Sequence, residues 1–231
     1  MSQPSENNSS LLISYLALRK AVGVIGIALP VVLVLGNWQL FHSQAFEDSI
    51  SYYYYTGMRG VLVGSLWAIG IFLMSYRGYQ RRDEIAGRLA CVFALGVALF
   101  PTARETGTCD IGHLFRLDHG GCDAAHIISF FHATCAALLF TTLAYFSLFL
   151  FTETHPGREQ DMTRRKRERN VVYYVCGWII VASIIGILTL HEGLHISQFG
   201  RLPVLFSLES VAVIAFGASW LVKGEFILKD Q

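Results

Sequence analysis

The sequence predicts an all-α membrane protein: one bundle of six transmembrane helices, with both termini in the cytoplasm. Hydrophobic residues make up 53% of the chain and charged residues only 15%, whereas an ordinary soluble domain is roughly 25% charged. The apolar residues also fall into six separate blocks of about 20 residues, the length that crosses a bilayer. Because no polar connection is long enough to fold alone, residues 1–231 are predicted to form a single transmembrane domain.

The six blocks can be justified in chain order. The first contains Pro30, which a membrane helix tolerates, and no small-residue cleavage pattern follows it, so we expect a retained helix and not a signal peptide. The third begins with more polar residues, because Arg88 must reach back toward the headgroups. The predicted helices cover about 21–41, 58–76, 85–102, 124–151, 171–190 and 203–222.

The distribution of basic residues predicts the orientation. Of the 18 Lys and Arg residues, all but Arg59, Arg104, Arg116 and Arg201 fall on the side that holds both termini. Cytoplasmic loops carry such an excess, so we expect that side to face the cytoplasm of a plasma membrane, here a bacterial inner membrane. The basic run at 163–170 is interpreted as part of this topology signal and not as a nucleic-acid site.

Four tyrosines in a row precede the second helix on the predicted outer side, in the sequence SYYYY at 51–55. Tyrosine rings collect at membrane interfaces, so an aromatic belt is one interpretation. The other is that one or two of the rings turn inward, and Tyr54 and Tyr55 are then the candidates for lining a pocket.

Three further polar residues lie near or below the predicted outer face. Arg59 starts the second helix, and His132 lies inside the fourth. Glu209 lies about six residues past Pro203, roughly 9 Å deep at 1.5 Å per residue. Ionisable groups at such depths face the bundle interior or a partner. We therefore predict that Arg59, Tyr54, Tyr55, His132 and Glu209 bind a ligand.

The histidines are asymmetric as well: seven of the eight fall on the predicted outer side, and only His155 is cytoplasmic. The fifth helix ends in HEGLH, which would place His191 and His195 one turn apart, near the level of His126. With a carboxylate, these three could hold zinc with an open position for water. The other interpretations are that they hydrogen-bond headgroups, water and each other, or that they have a proton-coupled or ligand-binding role.

Two cysteines are candidates for a disulfide, and two glycines are candidates for a close helix contact. Cys109 and Cys122 share the outer loop between the third and fourth helices, where an oxidising compartment would permit a disulfide. Gly60 and Gly64 have the G-x-x-x-G spacing that lets another helix approach closely. That helix could belong to the same chain or to a second copy in a homo-oligomer.

Two resemblances bear on these residues. The segments ISYYYYTGMRGVLVG (50–64), ALFPT (98–102) and SWLVKG (219–224) resemble uncharacterised bacterial six-helix membrane proteins, broadly the DRAM-like family, which implies six helices and no particular reaction. HEGLH is similar to the HxxxH of alkaline ceramidase and adiponectin-receptor membrane hydrolases, and His191 and His195 match that motif. The seventh helix and the S-x-x-x-H pattern of that family are missing here.

The functional prediction is therefore a polar cavity that opens outward and binds a lipid headgroup or small ligand, with a transport-like or regulatory role. Membrane lipids are the expected partners, and no nucleic acid is expected. The alternative is a metal-dependent hydrolase of a lipid amide or ester, with Glu209 or Asp123 as general base. The predicted lining of the cavity is Arg59, His126, His132, His191, His195 and Glu209.

Overall fold

The structure, a computed structural model, describes residues 4–43, 46–76, 78, 80–102, 121–153 and 164–227, and within them it is almost entirely helical. A short 3-10 helix, Ser51–Tyr55, precedes the second long helix, and π-helical turns extend the fourth and fifth. The long helices are α1 Pro4–Phe41, α2 Arg59–Met74, α3 Arg81–Leu99, α4 Gly121–Tyr145 with its extension Phe146–Leu150, α5 Arg164–Gly186 with its extension Ile187–Gly193, and α6 Val204–Lys223.

Four of these helices are long and apolar enough to cross a membrane, which supports the assignment to membrane proteins. Helix α2 is apolar but only 16 residues long. The four segments, counted among the described residues, are Tyr15–Phe41, Ala125–Leu150, Arg164–Gly193 and Val204–Lys223.

Helices α1 and α5 start earlier than predicted, at Pro4 and Arg164. Proline fits the first helical position, where its fixed φ is suitable and its missing N–H has no partner to lose. Arginine and lysine are good helix formers, and Arg164 pairs with Glu168 one turn later at 3.1 Å, so the basic run joins α5. A two-residue hairpin, β1 Gln198–Phe199 with β2 Leu202–Pro203, was not predicted.

The six helices form a ring in sequence order, because each packs on its neighbours in the chain and α6 closes against α1. Helices α1 and α6 approach each other closely. A Cβ atom added to Gly217 would lie 2.6 Å from the carbonyl oxygen of Gly23, so only glycine fits there. Helices α4 and α6 hardly touch across the ring, which leaves space in its interior.

The core has two parts, one at each end of the ring. At the end marked by Lys223, aromatic rings pack edge to face around Trp220. The centroid of the Trp220 ring lies 5.1 Å from that of Phe151 and 5.3 Å from that of Tyr76. At the end marked by Glu209, the core includes Tyr53 and residues of α1, α2 and α6. We call these the Lys223 end and the Glu209 end.

Gly60 and Gly64 do not mediate a helix contact within the described part of the chain. Both are exposed on the outside of α2, and no atom of the described residues lies within 4 Å of a Cβ atom placed on either. A contact between two copies of the chain through this face stays a prediction. Close packing between helices occurs at other glycines, for example at Gly23, Gly26 and Gly217 between α1 and α6 and at Gly87 between α3 and α2.

Candidate functional site

The tyrosine segment, Ser51–Tyr55, folds into the Glu209 end of the ring instead of lying along its surface. Tyr53 is completely buried and Tyr54 is 5% exposed, so two of the four rings turn inward. The Tyr53 ring packs on Phe206 of α6, with ring centroids 6.0 Å apart. Thr56 ends the turn, since its hydroxyl donates to the carbonyl oxygen of Tyr53 at 2.9 Å.

Two hydrogen bonds join the residues just before the tyrosine segment to the start of α6. The main-chain N–H of Ile50 donates to Oε2 of Glu209 at 2.6 Å. In the other direction, the N–H of Phe206 donates to the carbonyl oxygen of Asp48 at 2.9 Å. Phe206 lies in the first turn of α6, where N–H groups have no partner within the helix, so Asp48 supplies one.

His132 joins the tyrosine segment to α3 and α4. The side chain is 6% exposed. Its Nδ1 lies 2.5 Å from the carbonyl oxygen of Phe100 and its Nε2 lies 2.9 Å from Oγ of Ser51. Because a carbonyl oxygen can only accept, Nδ1 carries the proton, and in the neutral ring Nε2 then accepts from the Ser51 hydroxyl.

Arg59 and Tyr55 fix the far end of the segment. The Arg59 guanidinium lies over the Tyr54 ring, 4.1 Å from its centroid, and Nη2 donates to the Tyr54 hydroxyl at 2.6 Å. The Tyr55 hydroxyl donates to the carbonyl oxygen of Thr102 at 2.6 Å. The segment is thus bonded to α2, α6 and the residues that follow α3, and through His132 to α4.

A cavity of about 60 Å³ lies directly inside the tyrosine segment, within the ring. Its walls are apolar side chains from five helices, and its polar groups are Glu209 and Ser51. A smaller space beside it, of about 10 Å³, shares part of this wall and is lined by His132 and Tyr54. The apolar residues of the larger cavity are Leu29, Ile50, Leu62, Leu66, Ile69, Val97, Ala136, Leu139, Phe140, Leu143, Val213 and Phe216.

The structure brings five predicted ligand-binding residues to one place but gives the cavity a different lining from the predicted one. Arg59, Tyr54, Tyr55, His132 and Glu209 all contact the tyrosine segment or belong to it. Only Glu209 lines the larger cavity, and the cavity is apolar instead of polar. The reason is that Arg59 and His132 are occupied in holding the segment in place.

The three predicted metal ligands are not arranged as the sequence suggested. His126 is exposed on α4. His191 lies in the π-helical end of α5 and contacts the neighbouring Glu192 at 3.1 Å, whereas His195 follows the helix with φ at 52°. The two therefore do not form a helical i, i+4 pair. Across the described ranges no three His, Cys, Asp or Glu side chains come close enough to hold a metal.

The predicted disulfide of Cys109 with Cys122 lies outside the described part of the chain, as does the side chain of Asp123. The remaining cysteines are free. Cys91 and Cys176 are buried, and Cys135 is half-buried. Their positions within helices fit small packing residues.

Comparison with known proteins finds no matching family model, no matching curated protein and no matching solved structure. The resemblances to DRAM-like proteins and to the ceramidase and adiponectin-receptor hydrolases therefore stay predictions.

Proposed function

We propose that the protein binds a small amphipathic molecule inside the ring, with its apolar part in the cavity and its polar group at Glu209. The observation that carries this proposal is a cavity with twelve apolar lining residues and a carboxyl group at one end. One water needs roughly 10–15 Å³ of such space, so about 60 Å³ takes a short chain of about five water-sized groups.

The polar end of the cavity selects the chemistry of the ligand. One oxygen of Glu209 already accepts from Ile50, and the side chain still lines the cavity. A carboxylate accepts hydrogen bonds, so it favours a ligand group that donates them, such as a hydroxyl or an amine. Ser51 adds a hydroxyl at the same end. The ligand is therefore a short-chain alcohol or amine, or the corresponding part of a lipid.

The tyrosine segment covers this end of the cavity and would have to move for a ligand to enter there. Four side-chain hydrogen bonds hold the segment and the preceding Ile50 in place, made by Glu209, His132, Tyr55 and Arg59. At roughly 0.5–1.5 kcal/mol net each, they contribute about 2–6 kcal/mol together. Movement of the segment would couple ligand entry to the positions of α4 and α6, as a transport-like or regulatory role requires.

We also propose that all six helices cross the plasma membrane, with both termini and the Lys223 end in the cytoplasm. The excess of basic residues on that side supports this orientation. A reporter fused to the C-terminus tests it. Green fluorescent protein should fluoresce and alkaline phosphatase should stay inactive, whereas an active phosphatase fusion would reverse the orientation.

Photolabelling of the protein in lipid vesicles tests the proposed ligand site. The probe is a short-chain alcohol with a diazirine on its chain. We expect saturable label on cavity residues of α4 and α6, such as Phe140 and Val213, and competition by the unlabelled alcohol. Label confined to lipid-facing residues, such as Phe130 and Val175, without competition would contradict the proposal.

A further inference from the structure

The two polar side chains that line the larger cavity, Glu209 and Ser51, lie at the same end of it. The N–H group that Glu209 binds belongs to Ile50, the residue directly before Ser51. An ionised carboxylate has about four acceptor sites and no donor, and the bond from Ile50 uses one of these sites. Glu209 can therefore accept further hydrogen bonds from a ligand in the cavity.

Ser51 also presents an acceptor to the cavity. A serine hydroxyl has one proton, and Ser51 donates it to Nε2 of His132 across 2.9 Å. This direction follows from the position of the other ring proton, on Nδ1, which lies 2.5 Å from the Phe100 carbonyl oxygen. Only lone pairs of the Ser51 oxygen remain for a ligand. The polar side chains of the cavity thus provide two acceptors and no donor.

The negative charge of Glu209 is not balanced by a cation of the described residues. None of the ion pairs formed within the described ranges includes Glu209. Arg59 belongs to the same end of the ring, but its guanidinium lies over the Tyr54 ring and donates to the Tyr54 hydroxyl, and it does not line the larger cavity. Because a buried charge without a counter-charge is costly, a cationic ligand would stabilise the site.

The dipole of α6 does not replace such a cation. Helix α6 begins at Val204, and Glu209 lies in its second turn. The positive end of a helix stabilises negative charges mainly within the first turn, and the effect falls off beyond it. The start of α6 therefore compensates the Glu209 charge only in part. What is missing is a positive charge inside the cavity.

We propose that the ligand of this cavity is a short primary amine, bound in its ammonium form. This inference rests on the proposed ligand site and decides between the alcohols and the amines that the site could take. A primary ammonium group has three N–H donors and a positive charge, whereas an alcohol has one donor and no charge. The ammonium can therefore donate to Glu209 and to Ser51 at once, and its bond to Glu209 is also an ion pair.

The size of the cavity limits the apolar part of the amine. About 60 Å³ takes a nitrogen and about four carbon atoms, at roughly 10–15 Å³ for each water-sized group. An alkyl amine resembles the lysine side chain, whose pKa is about 10.4, so it is protonated at neutral pH. A phospholipid headgroup with an amine would also bring a phosphate, for which Glu209 and Ser51 offer no donor. The ligand is therefore a free amine of the size of butan-1-amine.

The test is competition with the diazirine alcohol for labelling of the cavity residues, with the full chain in phosphatidylcholine vesicles at neutral pH. The competitors are butan-1-amine and butan-1-ol, which have the same chain and differ only in the polar group. The variant Glu209→Gln keeps an acceptor for the N–H of Ile50 but has no charge. Ala137→Phe, on the outside of α4, is the control.

We expect butan-1-amine to suppress labelling of the native protein and of Ala137→Phe at a concentration roughly tenfold lower than butan-1-ol. In Glu209→Gln this preference should disappear. Equal competition by the two compounds in the native protein would overturn the inference but not the ligand site itself, and so would a preference that persists in Glu209→Gln. If neither compound competes, the proposed ligand site fails as well. The comparison in the native protein decides even if the variant does not fold.

Discussion

Glu209 in α6 accepts a hydrogen bond from the main-chain N–H of Ile50, a residue 159 positions earlier in the chain. This bond of 2.6 Å joins Glu209, the only carboxyl group among the described residues that line the cavity, to the residue just before the segment that covers it. A single side chain thus contacts both the proposed ligand and its cover. Loss of this bond on ligand binding would remove one of the contacts that hold the tyrosine segment, which makes Glu209 the first residue to alter.

Glu209→Gln and Glu209→Leu should differ in stability. Gln keeps an amide oxygen that accepts from Ile50, whereas Leu leaves a buried N–H without a partner, at a cost of about 1–3 kcal/mol. We expect a near-native unfolding free energy for Gln and that loss for Leu, both measured by denaturant titration in mixed micelles. If Gln and Leu destabilise the protein equally, the bond to Ile50 is not what Glu209 contributes.

His132→Leu should destabilise the protein by about 1–3 kcal/mol, because the Phe100 carbonyl and the Ser51 hydroxyl both lose a partner. His126→Leu, on the same helix but exposed, is the control and should stay within about 0.5 kcal/mol of the native value. A double-mutant cycle of His132→Leu with Ser51→Ala should show a coupling of about 0.5 kcal/mol or more. Zero coupling would contradict the Nε2 contact.

Replacing glycine by alanine should have opposite effects at Gly217 and Gly60. At Gly217 the new methyl group meets the Gly23 carbonyl and forces α1 and α6 apart, at a cost of about 1–3 kcal/mol. At Gly60 there is open space, and alanine gains up to about 1 kcal/mol of helix propensity. Thermal unfolding of the two single variants measures whether each substitution raises or lowers the stability of the protein. A stable Gly217→Ala protein would show that the ring is not closed there.

Zinc content separates the hydrolase alternative from ligand binding. We expect well under one equivalent of zinc in protein purified without a histidine tag or chelators, since His191 and His195 do not form a helical pair. Mass spectrometry of the native protein and of a His191→Ala/His195→Ala variant measures this. One equivalent that the double variant loses would establish the metal site and favour hydrolysis.

The sequence predicts the helices well because each apolar block of bilayer length can be recognised without knowledge of the rest of the chain. The end of α1 at Phe41 and the span of α6 follow directly from it. The early starts of α1 and α5 do not follow from this signal, since polar and basic residues are compatible both with a loop and with a helix that extends beyond the apolar part. Helix order is likewise not encoded locally: the contact of Gly23 with Gly217 joins opposite ends of the chain.

The sequence marks the candidate residues of the site, but it does not give their arrangement. Depth along a helix marks Glu209 and His132 as residues that need partners. Their partners are the N–H of Ile50, the carbonyl of Phe100 and the hydroxyl of Ser51. Main-chain groups occur at every position, so no pattern in the sequence identifies which of them is used. The apolar cavity was missed for a similar reason: its lining residues resemble ordinary membrane-helix residues.

The most direct test of the proposed ligand site compares Ala136→Phe with Ala137→Phe. Ala136 lines the cavity, whereas its neighbour Ala137 is exposed on the outside of α4, so the same ring fills the cavity in one variant only. The measurement is saturable labelling by the diazirine alcohol in vesicles. We predict at least a tenfold loss for Ala136→Phe and native labelling for Ala137→Phe. Equal labelling of the two variants would contradict a ligand site inside the ring.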